Sequence, residues 1–158
     1  MDLTILVGTQ TGVAQLVAQE IELRLDGEGM NIRTLLMDDI DTAVFGDGGA
    51  FLICTSTYGQ GDVPDGVKPF YEELLHKRPD LSAVRYGLIG LGDKGTHANT
   101  FCFGAKKFDR ILTELGAMRI GDPLFNDSGT DLPEDEAAEW IVGWIELCRK
   151  ESGVEAST

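Results

Sequence analysis

The sequence has few basic residues. Its 158 residues include 13 lysines and arginines against 27 aspartates and glutamates, which gives a formal net charge of −14. A surplus of negative charge repels phosphate backbones and anionic lipids, so we expect neither nucleic acid nor a membrane surface as a partner. The same charge favours a partner protein that is basic where it docks. The alternative is that the acidity serves solubility alone.

Cysteine is also scarce, and long apolar runs are missing. The three cysteines, Cys54, Cys102 and Cys148, are far apart and form no C-x-x-C pair, which is typical of reduced thiols in a cytoplasmic protein. No apolar run approaches the ~20 residues that a membrane span needs. The acidic start Met1-Asp2 differs from the basic start of an export signal. These absences predict a cytoplasmic location.

Strand and helix patterns alternate along the chain. Apolar residues make up 42% and charged residues 25% of the sequence, as in globular domains. The length fits one domain over residues 1–150, followed by a polar tail at 151–158. Short aliphatic runs predict strands, and apolar residues at helical spacing predict helices. The predicted strands cover residues 3–7, 32–37, 49–54, 86–91 and 117–120, and the helical patterns cover residues 14–25, 67–75, 108–115 and 131–150.

This alternation predicts a doubly wound α/β fold. The expected core is a five-stranded parallel sheet of order 2-1-3-4-5 with helices on both faces. In such sheets the ligand lies beyond the carboxyl ends of the strands, and the switch point for this order lies between strands one and three. We therefore expect the loops after strands one, three and four to carry function. They are the first loop (residues 8–14), the second loop (55–66) and the third loop (91–102).

The first loop, Gly8-Thr-Gln-Thr-Gly-Val-Ala14, joins a strand to a helix and offers two hydroxyls, backbone N–H groups and a glycine. A helix N-terminus concentrates unpaired donors and partial positive charge, so the loop suits a phosphate monoester. It lacks the lysine and spacing of a nucleoside triphosphate loop and the G-x-G-x-x-G pattern of a dinucleotide loop. Taken alone, it is equally compatible with an ordinary turn that has Thr11 as N-cap.

The second loop places an aromatic residue just beyond a predicted strand. Tyr58 can stack on a planar ligand, and Gly59 and Gly61 permit positive φ and close backbone approach. The alternative is a surface tyrosine in a turn. The third loop can frame the other edge of the ligand with backbone donors and side chains. Those side chains are Asp93, His97, Asn99 and Phe101.

Five segments of the sequence together are typical of one known family. They are Thr9-Gln-Thr-Gly-Val-Ala14, Ser56-Thr-Tyr-Gly59 followed by Gly61-Asp62, Gly90-Leu-Gly-Asp93, Phe101-Cys102 and Leu115-Gly-Ala-Met-Arg-Ile120. In these segments the chain resembles the flavodoxin-like FMN domains of cytochrome P450 reductase and sulfite reductase flavoproteins. The resemblance extends over residues 3 to 148 and implies a flavodoxin-like fold with FMN as cofactor.

The resemblance also implies a role for each loop. The first loop binds the FMN 5′-phosphate, Tyr58 stacks on the isoalloxazine, and the third loop lines the polar edge and the outer face of the flavin. No catalytic side chain and no metal is implied. The implied cofactor-binding residues are Thr9, Gln10, Thr11, Gly12, Val13, Ala14, Thr55, Ser56, Thr57, Tyr58, Gly59, Gly61, Leu91, Gly92, Asp93, His97, Asn99, Phe101 and Cys102.

One departure from the family pattern concerns the outer face of the flavin. The family commonly has a tyrosine in the third loop ahead of the Phe-Cys pair, and this sequence has none between Asp93 and Phe101. We expect His97, or the backbone of this loop, to take its place. The alternative is that His97 is an ordinary exposed loop histidine.

The expected function is that of an FMN-dependent one-electron carrier. It would accept electrons from a separate NAD(P)H-dependent flavin reductase and deliver them, as a monomer, to an acceptor redox protein such as a P450. The alternative is a flavin enzyme of the quinone- or nitro-reductase type that oxidises NAD(P)H directly. Carboxylates expected to rim the flavin edge favour partners with basic docking surfaces. These are Asp62, Asp65, Asp93, Asp127 and Asp131.

Two features are expected to serve packing and not chemistry. Trp140 and Trp144 are one helical turn apart, which indicates core aromatics in the last helix. Cys102 lies next to the predicted flavin, but no resolving cysteine accompanies it. We therefore expect Cys102 to be a neighbour of the site without redox activity of its own.

Overall fold

The computed structural model of the chain describes residues 1–59, 61–95 and 98–151. The strands in these ranges are β1 (Asp2–Gly8), β2 (Asn31–Leu36), β3 (Ala50–Ser56), β4 (Arg85–Gly92), β5 (Met118–Arg119) and β6 (Leu124–Asp127). The α-helices are α1 (Val13–Arg24), α2 (Lys68–Lys77), α3 (Phe103–Glu114) and α4 (Pro133–Glu151). The predicted alternation is confirmed. The predicted tail lies outside the described residues, except for Glu151, which ends α4.

The sheet has the predicted order, β2-β1-β3-β4-β5, and all of its pairs are parallel. Each connection between neighbouring parallel strands crosses one face of the sheet, because parallel strands cannot be joined by a tight turn. The carboxyl ends of the strands consequently lie along one edge, which we call the carboxyl edge.

The outer edge of the sheet differs from the prediction of one fifth strand. β5 and β6 both pair with β4, so two short strands share the fifth position. Gly121 has a φ of 68° and Pro123 has no N–H to donate, so the segment between them cannot continue the hydrogen-bond ladder. The predicted strand at 117–120 accounts for β5, and β6 was missed.

Both faces of the sheet are covered. Successive residues of a strand point to opposite faces, and β1 accordingly places Leu6 in one cluster and Ile5 and Val7 in the other. α2 and α3 cover the face that contains Leu6, and α1 and α4 cover the opposite face. Continuous apolar strands such as β3 are thus buried from both sides.

The tryptophan pair of α4 packs in this core, as predicted. The two rings stack with centroids 5.7 Å apart, and Trp144, which is 2% exposed, donates its Nε1–H to the carbonyl oxygen of Ile120 at 3.0 Å. Gly87 of β4 makes room for it, because a Cβ there would overlap the Trp144 indole. Within the described ranges, no helix has both the length and the apolar character to cross a membrane.

Candidate cofactor site at the carboxyl edge

The three predicted loops begin side by side. Gly8 at the end of β1 is in register with Thr55 of β3, and Ser56 is in register with Leu91 of β4. The chain therefore leaves three adjacent strands at nearly the same height. The first residues of the first and third loops, Gly8 and Leu91, are 83 positions apart in the sequence, and the sheet brings the loops together because its order places β1 next to β3.

The first loop is a tight turn onto α1. Gly12 is the N-cap residue with a φ of 94°, and its N–H donates to Thr9 Oγ1 at 2.7 Å. Glycine is required at this φ because side chains rarely tolerate it. The N-cap is therefore Gly12, not Thr11, and it makes no side-chain cap hydrogen bond. The first-turn N–H groups of α1 lack intrahelical partners and no acidic residue lies in that turn, which leaves an anion-binding end.

The second loop forms a small hairpin beside it. Tyr58 and Asp62 exchange two backbone hydrogen bonds, with N···O distances of 2.7 and 3.0 Å. Gly59 and Gly61 adopt φ angles of 57° and 104° in the turn between them. The Tyr58 side chain is 41% exposed. Its position is set by backbone bonds, so the ring is free to contact a ligand.

The first and second loops are joined by a side chain. The N–H of Asp65 donates to Gln10 Oε1 at 3.0 Å. Of the predicted binding groups, the side-chain oxygen of Gln10 is thus used to link two loops. We infer that this bond fixes the distance between the anion-binding end of α1 and the tyrosine hairpin.

Helix α3 supports the second loop from behind. The N–H of Gly104 donates to Thr57 Oγ1 at 3.0 Å. A Cβ on Gly104 would lie 2.7 Å from the carbonyl oxygen of Ser56 and 3.1 Å from that of Asp62. The helix therefore approaches the loop backbone more closely than any residue with a side chain allows. Gly104 lies in the segment between the predicted third loop and the helical pattern, and no local pattern indicated this role for it.

Strand β6 supports the third loop. Asp127 Oδ1 accepts hydrogen bonds from the N–H groups of Lys94 at 3.2 Å and Gly129 at 3.0 Å. The N–H of Ser128 donates to the carbonyl oxygen of Gly92 at 3.0 Å. Asp127 was predicted only as a rim charge. Its carboxylate also holds the base of the loop, a role that depends on β6.

Cys102 caps the start of α3 from the left-handed region, with a φ of 55°. It is fully buried, and its Sγ–H points to the carbonyl oxygen of Asn126 at 3.9 Å. Burial raises the pKa of the thiol to about 12, against a smaller opposing effect of the Lys106 charge. The thiolate is the reactive form of cysteine, so the structure agrees with a packing role for Cys102.

The predicted binding residues divide into an exposed and a buried group. Ala14, Thr55 and Cys102 have no exposed surface, so we infer that they support the loops from below and that their predicted contact with a ligand is indirect. Leu91, Phe101 and Gly61 are also buried. His97 lies outside the described residues. The exposed or half-buried members are Thr9, Gln10, Thr11, Gly12, Val13, Ser56, Thr57, Tyr58, Gly59, Gly92, Asp93 and Asn99.

Two of the predicted rim carboxylates are paired with lysines. Asp62 lies 3.2 Å from Lys107 and 3.4 Å from Lys68, and Asp65 lies 3.3 Å from Lys68. Burial opposes ionisation of Asp62, but hydrogen bonds from the Val63 N–H and Lys107, with both lysine charges, outweigh it and lower the pKa of the carboxyl. The negative charges of Asp62 and Asp65 are therefore largely balanced by the two lysines, so this side of the site is less acidic than the sequence alone predicted.

The residues present fit a flavin mononucleotide. A single phosphate monoester suits the uncapped start of α1. Among the described residues nothing lies within 4 Å of the position that a Cβ on Gly12 would take, and an exposed tyrosine, which can stack on a planar ring, lies on the neighbouring loop. The third loop closes the arrangement on the other side of β3.

Comparisons with known proteins agree with this geometry. The family model for flavodoxin matches residues 5–140. Protein MioC of Escherichia coli K12 is 38% identical over 152 residues, which cover 94% of this chain and 99% of MioC. The sulfite reductase [NADPH] flavoprotein alpha-component of Mannheimia succiniciproducens is 35% identical over 99% of this chain and 26% of that longer protein. A solved mutant flavodoxin from Pseudomonas aeruginosa superposes with a TM-score of 0.82 at 28% identity, over 94% of this chain and 99% of its own. The chain therefore belongs to the flavodoxin family, whose members carry electrons on FMN.

Proposed function

We propose that this flavodoxin passes electrons one at a time from a separate NAD(P)H-dependent reductase to an acceptor redox protein, such as a P450 or an iron–sulfur enzyme, as a monomer in the cytoplasm. The observation that supports this most directly is the convergence at one edge of an uncapped helix N-terminus and an exposed tyrosine. FMN supplies the one-electron chemistry, and the chain binds and orients it and determines which proteins approach.

Each loop has a distinct part in this proposal. The first turn of α1 and the hydroxyls of Thr9 and Thr11 hold the 5′-phosphate through N–H and O–H donors. The ring of Tyr58 stacks on the isoalloxazine. Gly59, which has positive φ, gives its peptide the freedom to turn a carbonyl toward the flavin. The third loop borders the remaining edge.

The cofactor itself gives the first test. The purified protein is expected to be yellow and to release one FMN per chain, because the first loop offers a site for a single phosphate group. Mass spectrometry of the cofactor released by heat or acid measures this directly. Release of FAD, or failure of the apoprotein to take up FMN, would contradict the proposal.

The second test separates an electron carrier from a flavin enzyme. Direct hydride transfer needs a nicotinamide ring held against the flavin, whereas a carrier leaves the flavin edge to protein partners. Stopped-flow mixing with NADPH alone should therefore leave the flavin colour largely unchanged, and addition of a ferredoxin–NADP⁺ reductase should bleach it rapidly. Rapid bleaching by NADPH alone would support a quinone- or nitro-reductase and reject the carrier.

A further inference from the structure

Lysines are concentrated beside the candidate site although the protein is strongly acidic. Four of the six lysines in the sequence lie at or next to the carboxyl edge. They are Lys68, Lys94, Lys106 and Lys107. The charges of Lys68 and Lys107 are balanced by Asp62 and Asp65. Lys94 and Lys106 have neighbours of another kind.

The ammonium groups of Lys94 and Lys106 lie over phenylalanine rings. Lys94 Nζ is 4.8 Å from the ring centroid of Phe101, and Lys106 Nζ is 5.1 Å from that of Phe103 and 5.2 Å from that of Phe125. Among the described residues, neither ammonium has a carboxylate within 4.0 Å. The rings attract the two cations and hold them in place without neutralising them. We call these five residues the lysine–aromatic patch.

The patch borders two of the three loops. A Cβ on Gly61 of the second loop would lie 3.2 Å from the Cβ of Phe103, and Phe101 is itself part of the third loop. The Phe103 side chain is 39% exposed, and Lys94 and Lys106 are exposed as well. An uncovered aromatic ring and two cations thus lie next to the loops that surround the proposed flavin site.

We propose that the lysine–aromatic patch docks the protein that exchanges electrons with this flavodoxin, with a carboxylate of that partner on Lys106 and an apolar side chain on Phe103. The proposal rests on the proposed carrier function. The partner would carry an acidic group that contacts Lys106. Next to that group it would carry a basic surface that faces the acidic remainder of the flavodoxin.

Charge complementarity is the reason for choosing this occupant. The net charge of −14 attracts basic surfaces over long distances, whereas two cations that no described carboxylate approaches within 4.0 Å favour an anion at short range. A partner that carries both signs can satisfy both only in one orientation, which gives specificity. The exposed ring of Phe103 adds an apolar contact of the kind found in protein interfaces. A free phosphate ion would gain nothing from this contact, so the ring favours a protein partner.

The sign of a rate change tests the proposal. The protein and its Lys106→Gln variant, both loaded with FMN, are tested in a stopped-flow instrument with two protein probes of opposite charge. In the oxidised state they accept an electron from a reduced acidic [2Fe–2S] ferredoxin, and after reduction by dithionite they donate one to oxidised, basic cytochrome c or to ferricyanide. Lys150→Gln is the matched control, because it removes the same charge at the opposite edge, beside Glu151, whose carboxylate pairs with Arg85 at the start of β4. Lys106→Arg tests whether the charge alone is sufficient.

With the ferredoxin at low salt, Lys106→Gln is expected to lower the second-order rate about two- to fivefold, and Lys150→Gln much less. Lys106→Arg should keep most of the rate, and the difference should shrink as salt screens the charges. With cytochrome c, Lys106→Gln should not lower the rate. The FMN affinity and the thermal midpoint of each variant confirm that the fold and the flavin site are unchanged.

Three results would contradict the proposal that the lysine–aromatic patch docks the partner. Equal effects of Lys106→Gln and Lys150→Gln would mean that only net charge matters. A slower reaction of Lys106→Gln with cytochrome c would mean that Lys106 assists a basic partner, which contradicts the proposed acidic contact. A loss of rate with ferricyanide but not with the ferredoxin would assign the patch to a small free anion. In each case unchanged behaviour with NADPH alone would leave the carrier function standing, so the two failures are distinguishable.

Discussion

Replacement of Tyr58 by alanine is expected to weaken FMN binding by about 1–3 kcal/mol, or roughly 5- to 150-fold in Kd, the usual cost of removing an aromatic stack from a nucleotide base. The hairpin that carries Tyr58 is closed by backbone bonds to Asp62, which the substitution leaves intact. The side chain is 41% exposed, so its loss creates no core cavity. Titration of the apoprotein with FMN, followed by quenching of flavin fluorescence, measures the change.

Two control variants make the result specific. Tyr58→Phe keeps the ring and removes only the hydroxyl, so its affinity should stay close to that of the unchanged protein. Phe103 is the other exposed ring beside the second loop, at 39% exposure. If Phe103→Ala lowers the FMN affinity and Tyr58→Ala does not, the ring that stacks on the flavin is that of Phe103 and our assignment to Tyr58 is wrong.

The sequence predicted the parts of the fold that depend on local pattern. Continuous apolar runs gave β1, β3 and β4, and the spacing of apolar residues gave the helices that cover the sheet. Loop positions followed because the sheet order places every carboxyl end on one edge. The resemblance to flavin domains then supplied the chemistry that we propose for each loop, including the stacking of Tyr58 on the flavin.

The parts that were missed depend on contacts between distant segments. Asp62 pairs with Lys107, which lies 45 positions later in the sequence, and no local pattern predicts that pairing. The burial of Thr55, which the resemblance implied as a cofactor-binding residue, is likewise set by a distant segment: it lies against Gly8, where an added Cβ would be 2.6 Å from Thr55 Oγ1. The break between β5 and β6 was signalled by Gly121 and Pro123, yet β6 is too short for its own pattern to stand out.

Helix α3 offers the sharpest test of how packing overrides propensity. Alanine is favoured over glycine inside a helix by about 0.5–1 kcal/mol, so propensity alone predicts that Gly104→Ala stabilises the protein. The added Cβ would lie 2.7 Å from the carbonyl oxygen of Ser56 and 3.2 Å from the Cα of Thr57. These are backbone atoms, and they can move only if the end of β3 or the second loop moves with them.

Gly143 of α4 is the matched control for this substitution. It lies in a helix as Gly104 does, but it is exposed and a Cβ there would meet nothing within 4 Å. Propensity therefore acts alone at this position. Gly143→Ala is expected to raise the free energy of unfolding by about 0.5–1 kcal/mol and to leave FMN affinity unchanged, because the substitution touches none of the loops.

Gly104→Ala is expected to act in the opposite direction on both measurements. Overpacking against a fixed backbone costs about 1–3 kcal/mol, which exceeds the gain from helix propensity. The displaced atoms directly precede Tyr58, so FMN affinity should fall together with stability. Urea denaturation of the apoproteins and FMN titration give the two values. If Gly104→Ala stabilised the apoprotein as Gly143→Ala should, α3 would not press on the second loop, and the support that we assign to this helix would be wrong.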